Sequence, residues 1–237
     1  MFGSVRLAGL WPGPLILTAG WYRASARPWN DDRPEAALRL ERGAFRFLAA
    51  CVEALHNRGV EGIASPPLYR PGIWAKAGFE PWLALDLYER RLADGFPDPK
   101  VRIVVGDKTG AWQRAIEIDR AAFAPLWRLG KIGLEESLVS TPTTVFLVDE
   151  ELRGFAIVAY AVGTAYLQRL AVDPLHQSEG VGSSLVTAAL RWAAHHGGRT
   201  MLLNTQPDNE ASVRLYQRFG FQRNPDRLTV FRREISH

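Results

Sequence analysis

Hydrophobic and polar positions change period several times along this chain, and each change marks a predicted element. Residues 4–10 and 15–22 are apolar runs separated by Trp11-Pro12-Gly13-Pro14, which predicts two short strands around a turn. The polar stretch 23–34 follows as a connection. From Glu35 to Asn57, Leu38, Phe45, Leu48, Val52 and Leu55 recur at helical spacing, which predicts one amphipathic helix, stopped by Gly59. A short apolar run at 60–67, a short helix through 72–79 and a strand at 82–88 complete the first half. Residues 94–100 concentrate Asp, Pro and Gly and read as a linker, giving domains 1–97 and 98–237.

The second half opens with a strand at 101–105 and a helix whose face carries Trp112, Ala115, Ile116, Phe123 and Trp127, with Pro125 kinking or ending it. A short helix is expected around Leu134 to Leu138. Runs at 143–149, 152–162 and 163–172 predict three consecutive antiparallel strands. A glycine loop then leads into a helix that Gly197 and Gly198 stop. Residues 201–205 form a buried strand, 208–220 a helix with Asp208 as N-cap and Gly220 past its end, and 228–234 a last strand.

Composition narrows the class. A chain of 237 residues with 47% hydrophobic positions has ample core for one or two globular domains. The net charge of +4 carries no long run of like charges, so nothing points to a nucleic-acid partner. The longest uncharged stretches, 7–22 and 154–168, fall short of the ~20 apolar residues that cross a bilayer, so no membrane segment is expected. Pro12 and Pro14 interrupt what would have to be a signal sequence, and the single Cys51 allows no intrachain disulfide. A cytoplasmic protein with a buried core thiol is the expectation. No His/Cys cluster has zinc spacing, and His195-His196 reads as helix capping and surface, so no metal is expected.

The chemistry concentrates at 166–182. An apolar strand ending at Pro174, a loop with Gln177, Gly180 and Gly182, and a helix N-terminus together make a site for an anionic phosphate. Glycines remove the Cβ atoms that would keep backbone N–H groups from a bulky diphosphate, and the helix dipole adds positive charge there. Thirty residues on, Asn209, Tyr216, Gly220 and Phe221 stand in an N-x6-Y-x3-G-F pattern. With the Q-x2-G-x-G loop this resembles the GNAT superfamily of acetyl-CoA-dependent N-acetyltransferases over roughly residues 98–237.

The resemblance implies an α/β (α+β) fold, a mixed, mostly antiparallel sheet flanked by helices, with an N-terminal α/β extension. It implies that acetyl-CoA is the co-substrate. Its pyrophosphate would lie on the backbone of Gln177, Ser178, Glu179, Gly180, Val181, Gly182 and Ser183. Its pantetheine would lie along Leu170, Ala171 and Val172 of a bulged strand, with Asn209 as a further contact. Tyr216 would be the general acid that protonates the departing thiolate. Glu179 stands where the family often has a basic residue, which shifts phosphate binding onto the amides. Trp127 and Phe123 fall where the family walls the acceptor site, or are simple core. The family's usual glutamates match Tyr166 and Asn204 here, neither a ready base at neutral pH. Glu117, Asp119 or His176 acting through water, or an amine arriving neutral, would have to serve.

Three functional readings follow. One is acetyl transfer to a primary amine of a small molecule or protein, by a monomer or homodimer. Another is an acyl-CoA-binding pseudoenzyme or sensor, and the third an interaction protein that binds no CoA. The first half also repeats part of the second: residues 59–67 and 74–79 match 199–207 and 216–221, with Trp74 where the second half has Tyr216. A tryptophan has no hydroxyl proton to give. Residues 1–97 are therefore expected to be a degenerate GNAT-like half-domain, or else an unrelated α/β extension.

Overall fold

The structure is a computed structural model that describes residues 4–31, 33–92, 96, 98–107 and 109–235. In chain order the elements are β1 (Arg6–Ala8), β2 (Leu15–Ala19), β3 (Tyr22–Pro28), β4 (Ala36–Arg42), α1 (Phe45–His56), β5 (Gly62–Ala64), α2 (Ile73–Lys76) and β6 (Glu80–Arg91). There follow β7 (Ile103–Val105), α3 (Gly110–Ala122), α4 (Gly130–Val139), β8 (Thr143–Asp149), β9 (Gly154–Ala161) and β10 (Thr164–Val172). The chain closes with α5 (Val181–His195), β11 (Thr200–Thr205), α6 (Glu210–Arg218) and β12 (Gln222–Glu234).

The fold is the mixed, mostly antiparallel α/β arrangement that the second half's pattern suggested, and the first half departs from its pattern in two places. The first half of the polar stretch 23–34 belongs to strand β3, and the expected helix at 35–57 is strand β4 followed by helix α1. Within β4, Ala36 and Leu38 are buried while Ala37 and Arg39 are not, an alternation of period two that helical spacing had masked. Gly43 separates strand from helix at a point where a Cβ would lie 2.6 Å from Phe47 Cδ1.

Two compact units divide the chain: one is discontinuous and holds residues 1–85 and 226–237, the other is the continuous stretch 86–225. Position 97, where composition suggested a boundary, lies outside the described residues. In the first unit β1 to β4 pair antiparallel in sequence, β4 runs parallel to β5, and β12 pairs antiparallel with β5 through Gly62–Ala64. In the second unit β7 to β10 pair antiparallel in sequence, β10 runs parallel to β11, and β6 pairs antiparallel with β11 through Asp86–Arg91. Strand order and direction are the same in both.

The likeness extends to single bonds. Phe79 N donates to Trp74 O at 3.1 Å and Phe221 N to Tyr216 O at 3.1 Å. Gly78 and Gly220 occupy left-handed backbone, with φ of 78° and 73°, at matching places. Trp74 and Phe79 meet edge to face, as do Tyr216 and Phe221. The first unit has no helices between β1 and β2 where the second has α3 and α4.

In the second unit α5 covers one sheet face, burying Val181, Leu185, Val186, Ala189 and Leu190 on Val145, Ala156, Val158, Leu167 and Leu203. Each fully buried leucine there contributes ~2 kcal/mol. Helices α3 and α4 cover the other face, with Trp112, Ile118 and Leu134 against Phe146, Phe155 and Ile157. Cys51 is fully buried in the first unit's core, and burial pushes its thiol up to about 12. No helix among the described residues is long and apolar enough to cross a membrane.

Gly154 sits where β9, β10 and α5 meet: a Cβ there would lie 2.9 Å from Ala171 O, 2.9 Å from Val181 Cγ1 and 3.1 Å from Leu185 Cδ1. Gly154→Ala should therefore lower stability by ~1–3 kcal/mol, read as a shifted denaturant midpoint. An unchanged midpoint would mean that α5 does not seat closely on Gly154.

Candidate functional site

Strands β10 and β11 stop pairing halfway. Thr164 to Leu167 pair with Thr200 to Leu203, and beyond that the two part. On its other side β10 stays paired with β9 as far as Val172, with a bulge between Leu167 and Arg169. Such a bulge adds one residue and turns the strand away from its neighbour. Leu170, Ala171 and Val172 thus border the opening with no β11 partner, where a ligand of extended shape can add main-chain contacts.

Past Val172 the chain is held tightly. Asp173 is buried, accepts from Leu175 N at 3.0 Å and pairs with Arg114 of α3, while its own N–H donates to Arg153 O at 2.8 Å. The Leu175 amide and the Arg114 guanidinium hold its carboxyl below the usual carboxylate range. Pro174–His176 form a single 3-10 turn. Gln177, Ser178 and Glu179 are exposed, and Ser178 and Gly180 take left-handed backbone with φ of 67° and 85°. Gly180 is the N-cap of α5, whose first turn has no side-chain cap. The N–H groups of Val181, Gly182 and Ser183 therefore point out of the helix end toward the opening, as first-turn amides do. A Cβ on Gly182 would stand 3.5 Å from Val172 Cγ2 and 3.6 Å from Leu215 Cδ2, which places the loop over the end of β10 and beside α6.

Glu179, the acidic departure in the loop, lies 3.4 Å from Arg153 and 3.2 Å from His176. Arg153 is anchored in turn on the fully buried Asp149 at 2.7 Å. A cationic partner, Arg153, thus stands at the place where the loop's own sequence offers only a carboxylate.

Tyr216 lies on α6, buried, with its ring against Phe221. Burial pushes its phenol up to about 12, offset in part by the positive charge of Arg169. Asn209, not Asp208, caps α6: its Oδ1 accepts from Ser212 N at 3.1 Å and its Nδ2 donates to Gln206 Oε1 at 3.3 Å. Its side chain thus engages the helix start through Oδ1 and Gln206 through Nδ2.

A buried ion pair that the motifs did not indicate stands at the strand opening. Arg169 Nε donates to Asp119 Oδ1 at 2.6 Å and Arg169 Nη2 to Trp127 O at 2.9 Å, while the guanidinium lies 3.5 Å from the centre of the Phe123 ring. Asp119 Oδ2 also accepts from Leu129 N at 2.9 Å. Phe123 and Trp127 are therefore held by Arg169 as the rim next to the opening. Of the residues considered as bases, Asp119 is buried in this pair, Glu117 lies 3.3 Å from Arg114, and His176 is bonded to Glu179. Tyr166 and Asn204 are both exposed. The described residues contain no group of three or more His, Cys, Asp or Glu that would hold a metal ion.

Comparison with known proteins places this geometry. Residues 112–221 match the Acetyltransferase (GNAT) family. A mycothiol acetyltransferase of Streptomyces avermitilis is 33% identical over 154 residues, which is 60% of this chain and 47% of that protein. A mycothiol acetyltransferase of Acidimicrobium ferrooxidans is 43% identical over 61 residues, 26% of this chain and 19% of that one. The chain thus matches less than half the length of these curated relatives. A tandem GNAT protein from the clavulanic acid biosynthesis pathway superposes with a TM-score of 0.62 at 16% identity, covering 100% of this chain and 85% of that one. An N-acetyltransferase structure from Sphaerobacter thermophilus gives 0.59 at 14% identity, covering 97% and 83%. With its parted β10 and β11, its glycine-led α5 and this match, the chain has the fold of the GNAT superfamily of acetyltransferases.

Proposed function

We propose that the protein transfers an acetyl group from acetyl-CoA to a primary amine by direct attack, with Tyr216 as the general acid. The observation that carries this is the meeting, at one strand opening, of the uncapped N-terminus of α5 and the buried phenol of α6. The amides from Gln177 to Ser183 would hold the diphosphate, and Arg153 and His176 would draw the Glu179 carboxylate aside. Leu170, Ala171 and Val172 would pair with the pantetheine arm. One of their N–H groups would face the thioester oxygen, a contact worth ~3 kcal/mol as the oxyanion develops.

Tyr216 suits its role because it keeps its proton at neutral pH. A thiolate is a weaker base than this phenolate, so the transfer depends on offsetting the charge left on the phenol, which Arg169 does. The acceptor amine loses its second proton as the amide forms, which returns the phenol to its starting state.

We further infer that the first unit is a degenerate copy of the second. Supporting this are the shared strand order, the matching Trp74–Phe79 and Tyr216–Phe221 corners and the tandem GNAT protein of the same fold. Phe47 and Leu40 occupy the space beside Gly43 where the loop of the second unit would correspond, and Trp74 has no hydroxyl, so catalysis falls to the second unit alone. A second reading, CoA binding without turnover, draws on Tyr166 and Asn204 standing where the family has glutamates.

Tyr216→Phe should leave CoA affinity unchanged in calorimetry and slow CoA release from acetyl-CoA with an amine panel by ~10²-fold. An equal rate removes the general acid. Because the phenol is pushed up to about 12, the fall in rate from its ionisation should begin only above pH ~10. Gly180→Glu forces a side chain into φ +85° and adds a negative charge at the helix start. It should weaken acetyl-CoA binding at least ~10-fold, the equivalent of about 1.4 kcal/mol. Equal heats for the two proteins would exclude the loop as the phosphate site.

A further inference from the structure

The family's usual base positions are empty of carboxylates in β10 and β11, and the sheet register shows what lies next to them. Tyr166 pairs with Leu202, and Leu202 pairs with Glu89 of β6. On these strands Leu167, Leu203 and Tyr88 belong to the core beneath α5, so their neighbours Tyr166, Leu202 and Glu89 share the opposite face. That is the face on which Ile157 and Phe155 meet α3, and from which Arg169 reaches Asp119. Asn204 is on the same face, one step along and diagonal to Glu89. Directly opposed residues stand ~5 Å apart at Cβ, so Glu89 lies two such steps, about 10 Å, from Tyr166 and within side-chain reach of the same acceptor space.

Other acids around this space are neutralised by cations: Asp119 by Arg169, Glu117 by Arg114 and Glu179 by Arg153. Asp86, also on β6, is buried on the α5 side and bonded to Arg223 at 2.8 Å. Glu89 is exposed and accepts from a neutral group, Asn224 Nδ2, at 3.3 Å, a contact that orients the carboxylate without cancelling its charge.

Resting on the acetyl-transfer reading above, we propose that Glu89 receives the acceptor's ammonium group and takes its first proton before attack. The ammonium N–H bond breaks and its proton passes to the carboxylate, leaving the nitrogen lone pair free. That pair forms the C–N bond to the thioester carbon; as the resulting tetrahedral centre collapses the C–S bond breaks, the thiolate takes the Tyr216 proton, and the second amine proton restores the phenol. Glu89, being exposed, returns its proton to water. The base of the second unit is thus carried on a strand encoded ahead of residue 98, outside the stretch in which the motifs lie.

The test uses S-aminoalkyl thioethers of CoA of increasing chain length, each beside the S-alkyl thioether of equal length, with calorimetry on the full chain. In the wild type, the aminoalkyl compound should bind about fivefold more tightly than its neutral counterpart at the length that reaches Glu89, the size of an exposed ion pair. Glu89→Gln, an isosteric change at an exposed position, should bind both compounds equally, while Tyr216→Phe should keep the preference. A preference that survives Glu89→Gln, or none at any length in the wild type, overturns the assignment. If the wild type binds neither thioether nor CoA, the acetyl-transfer reading itself fails, an outcome distinct from loss of the preference alone.

Discussion

Backbone groups that leave a sheet ladder must find other partners, and the parting of β10 from β11 creates a run of them in the middle of a folded domain. Everything around the site answers that constraint. The bulge between Leu167 and Arg169 turns β10 away, and β9 keeps the strand straight on its other side to Val172. Gly154 lets α5 approach closely enough to deliver its first turn to the end of the opening. A cleft between two parallel strands is thereby paired along both outer banks, by β9 and by β6, which suits a ligand recognised through its main-chain-like arm.

The Arg169–Asp119 pair belongs to the same solution. Burying two charges costs several kcal/mol per ion unless geometry and further hydrogen bonds compensate. Here the compensation comes from Trp127 O, Leu129 N and the face of Phe123. The pair ties the segment after α3 to the bulged strand, so the rim of the cleft is ordered by charge where the core residues of α3 end. It also sets a cation near the Tyr216 phenol, linking the rim to the chemistry by electrostatics.

The glycine loop, the three-strand meander and the α6 pattern were legible because local chemistry dictates them: positive φ at Gly180 and Gly220, alternation in 143–172 and helical spacing to Tyr216. What escaped was set by distant partners. Helical spacing from Leu38 to Leu55 hid a strand, since Ala36 and Leu38 are buried by β3 and β5, which no local window contains. Asp208 and Asn209 are both good caps by propensity, and the bond to Ser212 N decided between them. Arg169 carries no local signal because Asp119 is fifty residues away, and Glu89 fell within the expected first domain because only pairing shows where β6 goes.

The exchange of final strands carries a consequence for how the chain is made. The first unit's β5 pairs with residues 232–234 of β12, so that strand is made long after β5 itself. Until then the edge of β5 stands open on the ribosome, while β6 waits for β11. Contacts of such sequence separation form slowly. The first unit therefore closes its sheet after the whole of the second has been made, and a nascent chain passes through a period in which an unpaired strand edge invites partners such as a chaperone or a neighbouring chain.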